Sequence, residues 1–238
     1  MKLTAITLTI NVIVVNIMQK LPARGAAEKT AYHHGDLKRA LIDAAWQLVE
    51  TAGLSKLTLR EAARVAGVSV AAPYRHFANH EALLAAVLSK GFLELAQRTN
   101  AARGSAAHAL AGLEAVGVAY VDFAADHPAI YRLMFGPGCD KAAHPELLNA
   151  GQEALGVLVR AVQTCQAAGL VPNPDTETVA LAGWSLCHGL ASLHADGILA
   201  ATLPGDVHWR AQALVRMLLV GVVVPDAARP DHLQPIIY

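Results

Sequence analysis

Apolar residues recur at three- and four-residue intervals along most of the chain, which is the spacing that lines one face of an α-helix. The first such run begins at Asp36 and contains Leu37, Leu41 and Leu48. It ends at Ala52-Gly53, where glycine can take the left-handed conformation that closes a helix. The pattern therefore predicts a first amphipathic helix of about four turns.

The next helix signal is Thr58-Leu-Arg-Glu61, a capping-box pattern in which the threonine side chain accepts a backbone N–H and the glutamate reaches back. A short second helix is expected to run from there to Ala66. Gly67-Val-Ser69 then forms a turn with an N-cap serine, and a third helix is expected from Val70 to Phe77 with Pro73 in its first turn. Asn79 caps a fourth helix, which continues to about Ala102.

Beyond Arg103 the pattern predicts helices only, with breaks wherever glycine and proline cluster. The expected segments are 105–125, 128–135, 144–168, 175–199 and 206–222. We therefore predict an all-α fold of about nine helices. It should combine an N-terminal three-helix helix-turn-helix domain with a C-terminal helical domain for ligand binding and dimerisation.

Composition agrees with helices, because 54% of residues are hydrophobic while only 5% are aromatic. The net charge is zero, but it is distributed unevenly. Residues 19–103 carry 12 Lys or Arg against 7 Asp or Glu, whereas residues 104–238 carry 6 against 12. A basic segment beside an acidic one suggests that the first part meets a polyanion.

Two short helices joined by Ala66-Gly-Val-Ser69, inside the basic segment, have the pattern of a helix-turn-helix. In that motif the second helix enters the major groove of DNA and its N-terminal residues contact base edges. A hairpin of helices with a purely structural role can give the same pattern, so the motif alone leaves both readings open.

The resemblance becomes specific when five stretches are taken together: Tyr32-His-His-Gly-Asp36, Leu59-Arg-Glu-Ala-Ala63, Gly67-Val-Ser69, Tyr74-Arg-His-Phe77 and Glu81-Ala-Leu-Leu84. From residue 32 to about residue 90, without a gap, the chain resembles the DNA-binding domain of TetR-family regulators. The resemblance implies a transcriptional repressor that binds double-stranded, palindromic operator DNA as a homodimer and is released by a small-molecule effector.

The resemblance also implies that Tyr74 and His76 hold operator phosphates, and that Arg60 contacts a base or a phosphate. The alternatives are a packing role for Tyr74, a helix cap at His76 and a solvated charge at Arg60. The apolar base-facing residues can meet thymine methyl groups but cannot form bidentate hydrogen bonds. The other predicted DNA-binding residues are Thr58, Ser69, Val70, Ala71, Ala72 and His80.

His80 departs from many relatives, which have a lysine there, and a neutral histidine is a weaker anchor for phosphate.

Later in the chain, Trp184-Ser-Leu-Cys-His188-Gly189 resembles the Trp-His-Gly signature of the C-terminal domain in some of these regulators. Four-residue spacing puts Trp184 and His188 on one helix face. No Asp, Glu, Lys or Arg occurs between Thr178 and Ala195, so we expect this helix to be buried on more than one side.

The predicted effector-binding residues are His127, Tyr131, Trp184 and His188. The alternative is that Trp184 and His188 are simply core residues. Helices 175–199 and 206–222 carry apolar faces too extensive for a monomer surface, so they are expected to form the dimer interface.

The predicted domains are an N-terminal arm (1–31), the helix-turn-helix domain (32–90), the helical effector and dimerisation domain (91–225) and a tail (226–238). Leu3 to Met18 is an apolar run, short of the roughly 20 residues that a membrane span needs. A start at Met18 is a better interpretation, with residues 1–17 added by a wrongly chosen start codon. A regulator tethered to the membrane by residues 3–18 is the alternative.

The three cysteines, Cys139, Cys165 and Cys187, form no Cys-x-x-Cys pair and have no histidine at zinc-site spacing. A reduced, cytoplasmic protein without metal or cofactor is the expectation. No hydrolase serine motif, metal-spaced histidine pair or phosphate-binding glycine loop occurs, so we expect no enzymatic activity. The alternative is a helical ligand-binding protein or an enzyme without a DNA role.

Overall fold

The structure is a computed structural model that describes residues 34–171 and 176–223. These residues form nine α-helices and no strand, which confirms the predicted all-α fold. The helices are α1 (His34–Ala52), α2 (Leu59–Val65), α3 (His80–Gly104), α4 (Ala109–Asp126), α5 (Pro128–Phe135), α6 (Pro145–Ala167), α7 (Thr176–Ala195), α8 (Ile198–Thr202) and α9 (Val207–Val223). Short 3-10 helices occur at Leu54–Lys56, Pro73–Arg75 and Lys141–Ala143. The expected arm and tail lie outside the described residues.

The described chain forms two compact units. The helix-turn-helix unit contains residues 34–93 together with Ala129–Gln152, and the second unit contains Glu94–Pro128 together with residues 153–223. The domain boundary expected near residue 90 stays a prediction. None of the helices in the described ranges is long and apolar enough to cross a membrane.

The helix-turn-helix unit has its own apolar core, to which α1, α2, α3 and α5 contribute. Among its most deeply buried side chains are Leu41, Leu57, Leu83, Leu84, Leu88, Ile130 and Met134. Gly91 lets α3 approach α5 closely, since a Cβ there would lie 2.8 Å from Met134 Sδ. The Ile130 N–H donates to Glu50 Oε1 at 3.3 Å, which fixes the start of α5 to α1.

The second unit is centred on α4, which packs against both α7 and α9. Its buried residues include Val116, Val121, Val157, Val162, Leu190 and Val215. Gly117 lies where the three helices meet, because a Cβ at this position would be 2.8 Å from Val215 Cγ2 and 3.1 Å from Cys187 Sγ. A glycine is therefore what allows α4 to pack this tightly against two helices.

Two of the three predicted N-caps, Thr58 and Asn79, are found at the starts of α2 and α3, whereas no helix begins directly after Ser69. The Glu61 N–H donates to Thr58 Oγ1 at 3.0 Å, and the Ala82 N–H donates to Asn79 Oδ1 at 2.8 Å. The capping box is only half formed, because the Glu61 carboxylate accepts from Arg64 Nε at 2.8 Å. The threonine cap alone satisfies one of the free N–H groups at the helix start.

The α-helix expected from Val70 to Phe77 is not formed, and a turn followed by the 3-10 helix Pro73–Arg75 replaces it. The reason lies at Pro73, which has no N–H to donate to the carbonyl of Ser69. That carbonyl accepts from the Ala72 N–H at 3.0 Å and so closes a tighter turn. The proline therefore changes the whole element and not only its first turn.

The helix expected at 175–199 is also different, because it is divided into α7 and α8. Gly197 separates the two with φ of 74°, a left-handed conformation that ends a helix readily when the residue is glycine. The helix expected from residue 105 begins later, at Ala109, where His108 Nδ1 accepts from the Ala111 N–H at 3.2 Å. Both differences follow from local capping, which hydrophobic periodicity alone does not locate.

Gly117→Ala should destabilise the second unit, since the added methyl group would collide with Val215 and Cys187. Overpacking costs about 1–3 kcal/mol, while the gain in helix propensity over glycine returns at most about 1 kcal/mol. Gly151→Ala on α6 is the matched control, because a Cβ there meets nothing within 4 Å. Urea unfolding should show a lower midpoint for the first variant and an equal or higher one for the second. Equal stability of Gly117→Ala and the parent would contradict this packing.

Candidate functional site

The segment from Ser69 to Phe77 is held by two buried residues and presents others to solvent. Pro73 is buried and Phe77 is only 3% exposed, whereas Val70 is 51% exposed and Tyr74 is 61% exposed. Ser69 and Ala71 are exposed as well, and Ala72 is half-buried. The exposed side of this segment therefore consists of small or apolar groups beside the Tyr74 phenol and the Arg75 guanidinium.

His76 differs from Tyr74, because its side chain is half-buried and its Nε2 atom is buried. In this conformation a phosphate cannot reach Nε2, so a phosphate contact through that atom requires the ring to rotate. The His76 N–H donates to the Pro73 carbonyl at 2.9 Å and closes the 3-10 helix. The alternative role as a cap is therefore met by the backbone of His76.

Four further polar side chains are exposed. Arg75 lies within the segment, and the other three, Thr58, Arg60 and His80, lie at the starts of the two α-helices that flank it. Thr58 Oγ1 accepts the Glu61 N–H, and a hydroxyl that accepts a hydrogen bond still has its own proton to donate. Arg75 was missed by the sequence reasoning. The signal was present, because Arg75 stands between Tyr74 and His76 in the motif that carried the resemblance.

A second cluster lies within the second unit, where Tyr120 of α4 meets Trp184 and His188 of α7. Trp184 Nε1 donates to the Tyr120 hydroxyl at 3.2 Å, and that hydroxyl is 3.0 Å from His188 Nδ1. An indole N–H can only donate, so the Tyr120 oxygen accepts from Trp184. The rings of Trp184 and His188 are 5.8 Å apart. The predicted face of α7 is therefore a hydrogen-bonded aromatic cluster.

His188 is neutral in this cluster. Burial lowers the pKa of His188 below its ordinary value, because an imidazolium would lose its hydration there. Sequence reasoning missed Tyr120, since nothing in the local pattern of α4 indicates which residue of a distant helix it contacts.

The structure does not bring the other two predicted effector residues into this cluster. His127 Nε2 lies 2.9 Å from an Arg98 guanidinium nitrogen, and Arg98 also pairs with Asp126 at 2.6 Å and Glu94 at 2.8 Å. Tyr131 belongs to the helix-turn-helix unit, where it is 1% exposed and packs on Phe135. Trp184 and His188 thus have Tyr120 as their polar neighbour.

The second unit also contains a cavity of about 230 Å³ that no sequence motif indicated. Its lining residues come from the end of α3, the connection to α4, the start of α4 and the C-terminal part of α6, and are Arg103, Ala106, His108, Ala109, Gly112, Ala161 and Thr164. Arg103 donates from Nη2 to Asn100 Oδ1 at 3.0 Å. The cavity is separate from the Tyr120, Trp184 and His188 cluster.

Two protein-family models match the sequence. Residues 41–87 match the family of bacterial regulatory proteins named after tetR, and residues 113–218 match the tetracyclin repressor-like C-terminal domain. The first match covers most of α1, all of α2, the turn and the start of α3. The second covers most of the second unit, including Tyr120, Trp184 and His188. A sequence comparison with curated proteins gives no match.

Several solved structures are similar to this chain. A protein of unknown function from Rhodococcus sp. RHA1 is 36% identical with a TM-score of 0.71, over 82% of this chain and 100% of that one. A tetR-family regulatory protein from Rhodococcus RHA1 is 24% identical, with a TM-score of 0.57 over 83% of this chain and 100% of that one. The regulator FadR from Bacillus subtilis, solved with stearoyl-CoA, is 14% identical, with a TM-score of 0.63 over 77% and 98%. The last two likenesses concern the fold alone.

The lowered pKa of His188 predicts a dependence of stability on pH. The unfolded chain takes up a proton at His188 more readily than the folded chain, so the free energy of unfolding should fall as the pH drops below about 6.5. His188→Gln removes the titrating imidazole. The free energy of unfolding should therefore depend less steeply on pH between about pH 7.5 and about pH 5.5. His80→Gln, at an exposed histidine, is the control in urea unfolding. The same slope in His188→Gln and the parent would refute the assignment.

Proposed function

Because the chain belongs to the TetR family of bacterial regulatory proteins, we propose that it is a repressor that binds a palindromic operator as a dimer and leaves it when a small molecule binds. DNA binding and transcriptional regulation follow from the family itself. The observation that carries the more specific proposal is the segment 69–77, whose buried Pro73 and Phe77 leave Val70 and Tyr74 exposed for DNA.

Within this proposal the segment 69–77 enters the major groove. The apolar Val70 and Ala71 would meet thymine methyl groups, and neither offers a hydrogen bond to a base edge. Tyr74, His76, Thr58 and their neighbours would instead hold phosphates, as donors that position the protein without reading sequence. The full proposed set is Thr58, Arg60, Ser69, Val70, Ala71, Ala72, Tyr74, His76 and His80, to which we add Arg75.

Tyr74→Phe removes one hydroxyl donor without changing the shape of the ring. A hydrogen bond to a charged group contributes about 1.5–3 kcal/mol, so operator affinity should fall by roughly ten- to a hundredfold, and by the same factor on base-substituted operators. Fluorescence anisotropy on the operator and on single-base variants measures both quantities. If Tyr74→Phe and His76→Ala bind every sequence as tightly as the parent, the segment does not lie on DNA as we propose.

Arg60→Ala is the contrasting substitution in the same assay. A guanidinium at a guanine edge would contribute roughly 1–3 kcal/mol of discrimination at one base pair per half-site, and its removal should relax preference there. A guanidinium at a phosphate would give a uniform loss and a shallower dependence on salt. Arg160→Ala, at an exposed arginine of α6, is the matched control and should leave affinity unchanged.

We propose that the dimer forms through α7 and α9. Trp209, Met217 and Val220 are 65%, 71% and 65% exposed, and their spacing puts all three on one side of α9. Leu181 and Leu193 of α7 are also exposed, at 43% and 42%. Apolar side chains in this number on adjoining helices favour a surface that is covered by a second copy.

Met217→Glu should therefore convert the dimer into a monomer, because a carboxylate in an apolar interface loses its hydration without a partner. Leu203→Glu is the matched control, since Leu203 is 58% exposed but lies in the segment between α8 and α9. Light scattering at micromolar concentration measures the oligomeric state of the parent and of both variants. A monomeric parent protein, or a Met217→Glu protein that stays dimeric, would contradict the interface.

The effector is proposed to be a small apolar or amphipathic molecule that contacts Trp184 and His188, together with Tyr120. These side chains offer aromatic surface and a few polar atoms, the combination that ligand sites commonly use. Contacts by His127 and Tyr131 stay predictions. Because a repressor of this kind acts where the DNA is, we also propose that the chain works in the cytoplasm. We further propose that it has no catalytic activity.

A further inference from the structure

Three side chains of the helix-turn-helix unit that commonly bind transition metals lie together: Glu81, Cys139 and His144. One potential ligand atom from each lies within 4.8 Å of the other two. Glu81 is in the first turn of α3, and the other two belong to the segment between α5 and α6. No motif in the sequence indicates this cluster, because Glu81 precedes Cys139 and His144 by more than fifty residues.

Two of the three side chains, Cys139 and His144, have buried potential ligand atoms. Cys139 is a free thiol that is 7% exposed. His144 Nε2 is buried and makes no hydrogen bond, and Glu81 Oε1 lies 3.9 Å away, beyond hydrogen-bond distance. A buried imidazole nitrogen without a hydrogen bond is uncommon in folded proteins. A metal ion bound through the lone pair of this nitrogen would account for it.

The backbone around the cluster holds these groups in place. The Asp140 N–H donates to Glu81 Oε1 at 3.3 Å, and Asp140 Oδ1 accepts from the Ala142 N–H at 3.1 Å. The carbonyl of His144 accepts from the first N–H groups of α6. Lys141, the cation beside Cys139, donates to the Gly136 carbonyl at 2.7 Å and is thereby engaged by the backbone.

We propose that Glu81, Cys139 and His144 bind one divalent transition-metal ion of the zinc class. Zinc binds cysteine sulfur at about 2.3 Å, histidine nitrogen at about 2.0–2.1 Å and carboxylate oxygen at about 2.0–2.2 Å, and three protein ligands leave the fourth position for water. Tetrahedral ligand atoms are then about 3.3–3.5 Å apart, so the three groups need to approach one another by no more than about 1.5 Å.

The charge and the donor atoms both select this class of ion. When the metal–sulfur bond forms, the Cys139 thiol releases its proton to solvent, and the thiolate and the Glu81 carboxylate then balance the 2+ charge of the ion. A set with one sulfur and one imidazole nitrogen favours zinc over magnesium and calcium, which prefer oxygen ligands. Bound metal would join the first turn of α3, directly after His80, to the segment 139–144.

The test is calorimetric titration of zinc into the full-length protein, produced without an affinity tag and kept reduced. One zinc ion per chain should bind, and Glu81→Gln, Cys139→Ser and His144→Gln should each weaken binding by at least about tenfold. Cys165→Ser, at another buried free cysteine, is the matched control and should bind zinc like the parent. Zinc should also raise the melting temperature of the parent and of Cys165→Ser more than that of the three ligand variants.

Cobalt is the second probe, because a bound cobalt ion reports a thiolate ligand by a charge-transfer absorption that surface histidines cannot produce. The band should appear in the parent and in Cys165→Ser, and it should be absent in Cys139→Ser.

Absence of a saturable zinc site, unchanged affinity in the ligand variants, or a cobalt complex without the thiolate band would each overturn the proposal. Glu81 is exposed, so Glu81→Gln keeps the test valid if a variant of a more buried ligand fails to fold. No DNA is present, so the outcome is independent of operator binding.

Discussion

The burial of Pro73 and Phe77 is the constraint on which the DNA-binding surface depends. These two side chains fasten a short segment to the apolar core of the helix-turn-helix unit, and the residues between and before them are turned to solvent as a result. A regular helix was not needed for this outcome. Proline removes one backbone donor, the chain tightens into a 3-10 helix, and Val70 and Tyr74 are exposed on a segment whose position is fixed by packing.

Much of this architecture could be predicted from hydrophobic spacing and capping residues. The caps at Thr58 and Asn79 are found where the sequence put them, because a cap depends on residues only three positions apart. The failures were also local: Pro73 and Gly197 changed helices that periodicity alone treated as continuous. Periodicity reports which face of a segment is apolar, and it is insensitive to a single residue that alters the backbone.

The functional residues also fall into two groups, those that the sequence could identify and those that only the fold reveals. Tyr74 and its neighbours could be named because they are contiguous in a motif, and Trp184 and His188 because they are four residues apart on one helix. Tyr120 joins them from a different helix, and Glu81 joins Cys139 and His144, which are 58 and 63 residues further along the chain. Contacts of this kind depend on how the helices pack, so one sequence without its fold does not reveal them.

The central claim is that a symmetric pair of these chains reads DNA through the segment 69–77. Selection of bound sequences from a random pool of double-stranded DNA by the full-length protein tests it most directly. The account predicts an enriched palindrome whose half-sites have centres one helical turn apart, about 10–10.5 base pairs, or a multiple of it. Recovery of no preferred sequence, or of a single site without two-fold symmetry, would contradict it.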